Sequence, residues 1–170
     1  MSYEFDFSFL DEYGQDLWDG TLLTLWMTAV SIIPGFIVGT ACAVGRLYGP
    51  PWVRKAATVY VEAIRNTPLV IQVFWLFFGL AVLSVRIDAF YAAVIALVIN
   101  VGAYTAEIMR AGFESIPKGQ IEAASCLALS RWQSLLYVQL PQAVERVYPA
   151  LVSQFILMML ATSIMSQISA

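Results

Sequence analysis

Four stretches of this chain contain no Asp, Glu, Lys or Arg: Gly20–Gly45, Asn66–Val85, Ala89–Ala106 and Val147–Ala170. Each comes close to the ~20 helical residues needed to cross a hydrocarbon core about 30 Å thick. The pattern predicts an all-α membrane bundle of about four spanning helices. Polar positions collect between the runs. Trp52 to Ile64 reads as an amphipathic helix, and Pro68 separates it from the apolar run Leu69–Leu83 because the ring drives Thr67 out of the α region. The longest polar insert, about 113–143, falls between the last two runs. In it Pro117 signals a helix start, with Ser115 as candidate cap, running to about Leu127. Ser130-Arg131-Trp132-Gln133 is a capping box opening a second helix, which Pro141 should end at Leu140. A stiff helix-turn-helix elbow is the expected result.

Pro34 should bend the first span, about 20–45, near its middle, and the spacing of Gly35 and Gly39 marks a face for close helix packing. Residues 1–19 interleave acids with Phe5, Phe7, Phe9 and Trp18. They read either as an amphipathic segment at the outer interface or as a disordered tail with aromatics near the headgroups. The domain organisation is thus an external segment, 1–19, and a transmembrane domain, 20–170.

Composition agrees. Hydrophobic residues make up 60% of 170 and charged residues 12%, and the mean hydropathy is +0.75. So short a chain could not cover four such runs as a soluble protein. The acidic tail lacks a positive n-region, so no signal peptide is expected. Eight of the nine cations, Arg46, Arg54, Lys55, Arg65, Arg110, Lys118, Arg131 and Arg146, flank the first and third connections. The positive-inside rule makes those connections cytoplasmic and the N-terminus external. The net charge of −3 comes from that external tail, so membrane lipid is an expected partner and nucleic acid is not. Cys42 and Cys126 should be free thiols, and a chain without His offers no zinc set.

Polar residues inside the runs are the candidate chemistry. Asn100 sits deepest, and either an interhelical hydrogen bond or a place on a pathway would explain it. The joint Arg65-Asn66-Thr67-Pro68 is a helix cap with a snorkelling Arg or a piece of a transport core. Glu107 and Arg110 form an i,i+3 pair at a helix end. At the 3.6 period Ser163, Ser166, Gln167 and Ala170 share one face, flanked by Thr162, a polar stripe that lines a path or packs a neighbour. Gly112 to Gly119 fails as a nucleotide loop because its Lys118 precedes the second Gly. With no His and no paired carboxylates at depth, the residues describe a conduit and not an enzyme.

Gly119 to Pro141, GQIEAASCLALSRWQSLLYVQLP, resembles the cytoplasmic EAA loop of permease subunits of bacterial ABC importers: a Glu-Ala-Ala tripeptide, a small residue about five positions on and a closing Leu-Pro. Ala103 to Gly112, Ser115 to Gln120, Leu140 to Ala143, and Tyr60-Val61-Glu62 with Arg65 to Gln72 are similar to permeases for polar amino acids and opines. The resemblance covers roughly Gly20 to Ala170. It implies a type I ABC importer permease fold, with a coupling loop that meets the ATPase through Gly119, Glu122, Ala123, Ala124, Ala128, Leu140 and Pro141. It implies a bacterial inner membrane location, an ABC ATPase dimer, a second permease subunit, identical or related, and an external substrate-binding protein. The chain itself would hold no cofactor, ATP and Mg belonging to the ATPase. Thr162-Ser163 aligns with a Thr-Ser pair of such permeases, which makes Asn100, Thr162, Ser163 and Gln167 the candidate substrate path. Two departures stand out. Ala128 occupies the turn where Gly is usual, at a cost on the order of 1 kcal/mol if the turn is left-handed. The family's usual fifth helix has no counterpart before Ala170, so the alternative is a truncated, non-transporting protein that only associates with the ATPase or a full-length permease.

Overall fold

The computed structural model describes the backbone of residues 9–168 and the side chains of residues 13–165. The first eight residues of the acidic segment, and the side chains of Ser166 and Gln167, lie outside the described residues. Every element within that range is helical.

Helix α1, Phe9–Tyr48, is one 40-residue helix, about 60 Å long at 1.5 Å per residue. It passes position 20 without a break and continues through Pro34, where a bend was expected. Leu22, Trp26, Ile33 and Ile37 leave one face apolar and exposed, as a lipid-facing stripe should be. The opposite face packs chiefly on α4, Ala89–Glu114. Glycine sets how closely they approach. A Cβ on Gly35 would lie 2.6 Å from Val101 Cγ1; one on Gly39 would lie 2.6 Å from Thr105 Cβ and 2.7 Å from the Gly102 carbonyl oxygen. As α1 advances from Gly35 to Gly39, α4 advances from Val101 to Thr105, so the two helices run parallel.

Helix α2, Pro51–Arg65, has its N-cap at Pro50 and ends at Asn66, whose side chain donates to the Glu62 carbonyl. Beyond Pro68 the chain turns by 107° into α3, Leu69–Val82, which contains a π turn at Trp75–Gly79. Alone, α3 reaches only about 21 Å at 1.5 Å per residue, so the second apolar run is not a full span. Three helices are long and apolar enough to cross a membrane, or four if the bent α2–α3 pair counts as one. Asp88 caps α4 by accepting from the Phe90 amide.

Helix α5, Lys118–Cys126, precedes the long α6, which is α-helical over Arg131–Gln133, π-helical over Ser134–Gln139 and α-helical again over Leu140–Ala161. Pro141 therefore does not end the second elbow helix. The wide π turn just before it moves backbone carbonyls away from the proline ring, and Gln142 Nε2 donates to the Val138 carbonyl at 2.9 Å. The elbow's second helix is the start of the last span. From Thr162 to Ile168 the chain winds as a 3-10 helix. The stripe expected over Ser163, Ser166, Gln167 and Ala170 falls mostly outside the described residues.

Two apolar clusters hold the bundle. One gathers Met27, Val73, Leu97, Val101, Met158 and Met165; the other gathers Ala43, Met109, Phe113, Leu135, Ala143 and Leu151 toward the elbow. Cys42 and Cys126 are both free. Because the α1–α4 contact leaves no room for a methyl group, Gly39→Ala should destabilise the bundle by about 1–3 kcal/mol, the usual cost of overpacking. Gly20→Ala is the control, since nothing lies within 4 Å of its Cβ position. Thermal unfolding of both variants in detergent should show a lowered midpoint for the first and none for the second.

Candidate functional site

The elbow is built from local chemistry outward. Pro117 is the N-cap of α5, and the Ser115 hydroxyl, expected to cap it, instead donates to the Gly112 carbonyl at 2.7 Å. Ser115 belongs to the end of α4 because its backbone is still α-helical there. Arg146 on α6 donates to the Ser115 carbonyl, tying the start of the elbow to the last span. The expected capping box is present: Gln133 N donates to Ser130 Oγ at 3.3 Å and Ser130 N to Gln133 Oε1 at 2.8 Å. At the other side, Tyr48 Oη donates to Gln139 Oε1 at 2.6 Å, pinning the π turn to the end of α1.

The turn between α5 and α6 keeps the left-handed geometry. Ala128 has φ 54°. Ala128 N donates to Ser125 O and Leu129 N to Ala124 O, the two bonds of a Schellman motif that serve the last carbonyls of the helix. Ala accepts the Cβ strain that Gly would avoid. Gly119, Glu122 and Ala123 are exposed together with Cys126, whereas Ala124 is buried and anchors the helix. Glu122 makes no hydrogen bond or ion pair among the described residues. Leu140 is half-buried and Pro141 exposed. Leu127, Trp132 and Tyr137 extend the same exposed region with apolar surface, each more than two thirds accessible. These three were missed in the sequence, where only their position in a polar insert could have signalled a contact surface.

A second feature was partly missed. Glu107 pairs with Arg110 as its spacing suggested, but Arg46 of α1 also donates to it at 2.7 Å, and Arg65 of α2 lies 3.7 Å away. Arg110 reaches onward to Glu114 at 2.7 Å. The Arg65 guanidinium sits 5.5 Å from the centre of the Tyr104 ring.

Beyond Arg65 opens a cavity of about 420 Å³ between the α2–α3 joint, α4 and the end of α6. Asn100 lines it, joined by Asn66, Thr67, Tyr104 and Gln154. Asn100 Nδ2 donates to Gln72 Oε1 at 3.3 Å, while Gln72 Nε2 donates to the Ile64 and Thr67 carbonyls. Asn100 therefore makes the interhelical hydrogen bond that was one of its two readings, and it also lines the cavity. Thr162 and Ser163 lie just outside, their hydroxyls donating to the Met159 and Leu160 carbonyls; their neighbours Ala161 and Ile164 line the cavity instead. Gln167 falls in the 3-10 segment.

A multi-span helical bundle with an open, partly polar cavity and an exposed helical elbow is the framework of a membrane transport component. Residues 35–170 match the family of binding-protein-dependent transport system inner membrane components, and the chain belongs to that family. It is 40% identical over 160 residues to the probable glutamine ABC transporter permease protein GlnP of Bacillus subtilis, covering 92% of this chain and 73% of the relative. It is 39% identical over 163 residues to the glutamine transport system permease protein GlnP of Escherichia coli, covering 95% and 74%. The L-cystine transport system permease protein TcyB of B. subtilis is 40% identical over 149 residues, covering 88% of this chain and 64% of its own. Among solved structures, an amino acid ABC transporter with histidines superposes at TM-score 0.87 and 34% identity, over 99% of this chain and 78% of that one. The inward-facing MetNI methionine ABC transporter shares the fold, with TM-score 0.78 at 22% identity over 91% and 74%.

The strained turn gives a direct expectation. Ala128→Gly should stabilise the elbow by about 1 kcal/mol, the left-handed penalty of a Cβ less the extra freedom of Gly in the unfolded chain. Hydrogen exchange of the α5 amides should slow about fivefold, while the α1 and α4 amides stay unchanged.

Proposed function

We propose that this chain is a permease subunit of an ATP-driven importer for a polar amino acid. One observation carries the reading: an exposed helical elbow, presenting Gly119, Glu122 and Ala123 with an unpaired carboxylate, lies between Ser115, held by Arg146 of α6, and Gln139, held by Tyr48 of α1. A short helix with small residues and one carboxylate can enter a partner's cleft and bury apolar area while the carboxylate meets a donor. Ala124 positions that helix from beneath, Ala128 sets its turn, and Leu140 and Pro141 set where the elbow joins the last span.

The partner is a pair of ABC ATPases that bind and hydrolyse ATP with Mg²⁺; this chain supplies the pathway and no catalytic residue. A second permease subunit, the same chain or a related one, completes the path, and an external binding protein delivers the substrate. The chain resides in the bacterial inner membrane with its N-terminus outside and the elbow in the cytoplasm, as the cation distribution favours. The cavity at Asn100 is the station of the path within this subunit, and Thr162, Ser163 and Gln167 continue it along the end of the last span. The names of the relatives, two for glutamine and one for L-cystine, support amino acid transport as the class.

Glu122→Arg tests the docking face. Reversing a charge at a protein contact costs a few kcal/mol, about a hundredfold or more in affinity. The variant should insert in the membrane and fold normally yet lose its ATPase on co-purification. Recovery of the ATPase at the wild-type yield would refute the docking assignment.

A further inference from the structure

We infer that this chain holds an anionic glycerophospholipid against its elbow, one acyl chain lying in an apolar groove between α1 and the start of α6 and the headgroup phosphate meeting Arg131. The groove has a volume of about 1240 Å³. Phe36, Val44, Phe113, Ile121, Leu135 and Leu136 give it an apolar wall drawn from α1, α4, α5 and α6. Along α1 that wall runs from Phe36 to Tyr48, about 18 Å at 1.5 Å per residue. One leaflet of a hydrocarbon core about 30 Å thick is about 15 Å deep, so the groove has the length an acyl chain needs. Ile37 belongs both to the groove and to the exposed apolar stripe of α1, which gives lipid a lateral way in. Tyr48 and Trp132 stand exposed at the elbow end, and they are the residue types that settle at headgroup level.

The polar groups decide which lipid. Most of those in the wall are already engaged within the protein: Tyr48 Oη donates to Gln139 Oε1, Gln139 Nε2 donates to Ser134 Oγ at 3.2 Å, and Ser125 Oγ donates to the Ile121 carbonyl at 3.0 Å. Thr40 Oγ1 is buried. Arg131 is different. It is exposed at the groove beside Trp132, makes no hydrogen bond or ion pair among the described residues, and is the one charged residue among them that lines the groove. Glu122, next to the groove residue Ile121, is exposed on α5 and does not line it. A guanidinium can hold a phosphate through two parallel N–H donors, and basic sites between helix ends are where anionic headgroups are held. Arg54 and Lys55, which follow the groove residue Val53 on α2, are exposed and add to the positive potential. An amphiphile with an anionic end and an apolar tail satisfies both parts of this site, which neither a wholly apolar partner nor a soluble anion does. Seated so, its chain covers the Tyr48–Gln139 bond that ties α1 to the π turn, and water no longer competes for that bond.

The test uses the full chain, purified with the subunits that accompany it and placed in nanodiscs of equal parts dioleoyl phosphatidylglycerol and dioleoyl phosphatidylcholine. The photoreactive p-benzoyl-phenylalanine is introduced at Leu136 in the groove, and its adducts are identified by mass. They should carry phosphatidylglycerol over phosphatidylcholine by about fivefold, the preference that one basic residue gives near a headgroup. The same probe at Ile33, on the exposed stripe of α1 outside the groove, should take both lipids alike. Arg131→Gln should bring the two lipids to parity at Leu136 while total lipid capture stays unchanged. Ala41→Trp, which fills the groove, should depress capture of both. The wild-type ratios at the two probe positions decide even if neither variant assembles. The inference is overturned by equal capture of the two lipids at Leu136, by the same preference at Ile33, or by a preference that survives Arg131→Gln. Lipid capture undiminished by Ala41→Trp, adducts to a polypeptide in place of lipid, or no lipid adduct at Leu136 overturns it equally.

Discussion

The parallel contact between α1 and α4 is the constraint on which the other features depend. In a bilayer, lipid tails are as apolar as the side chains they replace, so helices gain little from hiding Leu or Val and gain mainly from close van der Waals approach. Gly35 and Gly39 on one helix, against Val101, Gly102 and Thr105 on the other, provide that approach. The same register brings Ala43 beside Met109 in one buried cluster. It also carries Arg46 to Glu107, a pairing of residues 61 positions apart. Tyr60 enters this layer from α2, its hydroxyl donating to the Ile99 carbonyl at 2.6 Å and standing where a Cβ of Gly102 would be. A methyl group at Gly102 would therefore press on α2 as well as α1.

Two polar assemblies are positioned by that seam, and both are incomplete without it. The ionic cluster draws one residue from α1, one from α2 and three from α4. With its carboxylates a quarter to a half exposed, solvent screening limits its contribution to stability. Its larger effect is on placement, because fixing Arg46 and Arg110 on Glu107 leaves Arg65 to face the cavity. The elbow is fixed in the same manner from both ends, by Arg146 on the Ser115 carbonyl and by Tyr48 on Gln139.

Features governed by local chemistry were legible in the sequence, and those governed by register between distant helices were not. The spans were visible because burying charge in hydrocarbon is costly, so their charges are confined to the ends. The capping box was visible because its bonds close within four residues. The tight α1–α4 seam could be read from the spacing of Gly35 and Gly39, but its partner helix could not. Arg46 and Arg65 gave no sign of sharing Glu107, and Gln154 was one polar residue among several in its run. Errors arose where backbone geometry departs from the regular α-helix. Pro141 was read as a stop because a π turn has no sequence signature comparable to a cap.

Those departures are not scattered. A π turn at Trp75–Gly79, a left-handed Ser84 just after α3, a left-handed Ala128, a π turn at Ser134–Gln139 and a 3-10 segment from Thr162 fall in or beside the α2–α3 arm, in the elbow and at the end of α6, while α1 and α4 have none among their described residues. The scaffold is regular along the α1–α4 seam and irregular in the arm, the elbow and the end of the last helix. Each irregularity changes which face a helix presents: a π turn shifts the register by about one residue and a 3-10 turn tightens it. A proline in the last span is tolerated because the register shift precedes it, and Thr162 turns inward while Ala161 and Ile164 face the cavity for the same reason. Regular helices alone would hold the bundle together equally well. The irregular segments instead change the direction of the chain, at the α2–α3 arm, at the elbow and at the end of α6.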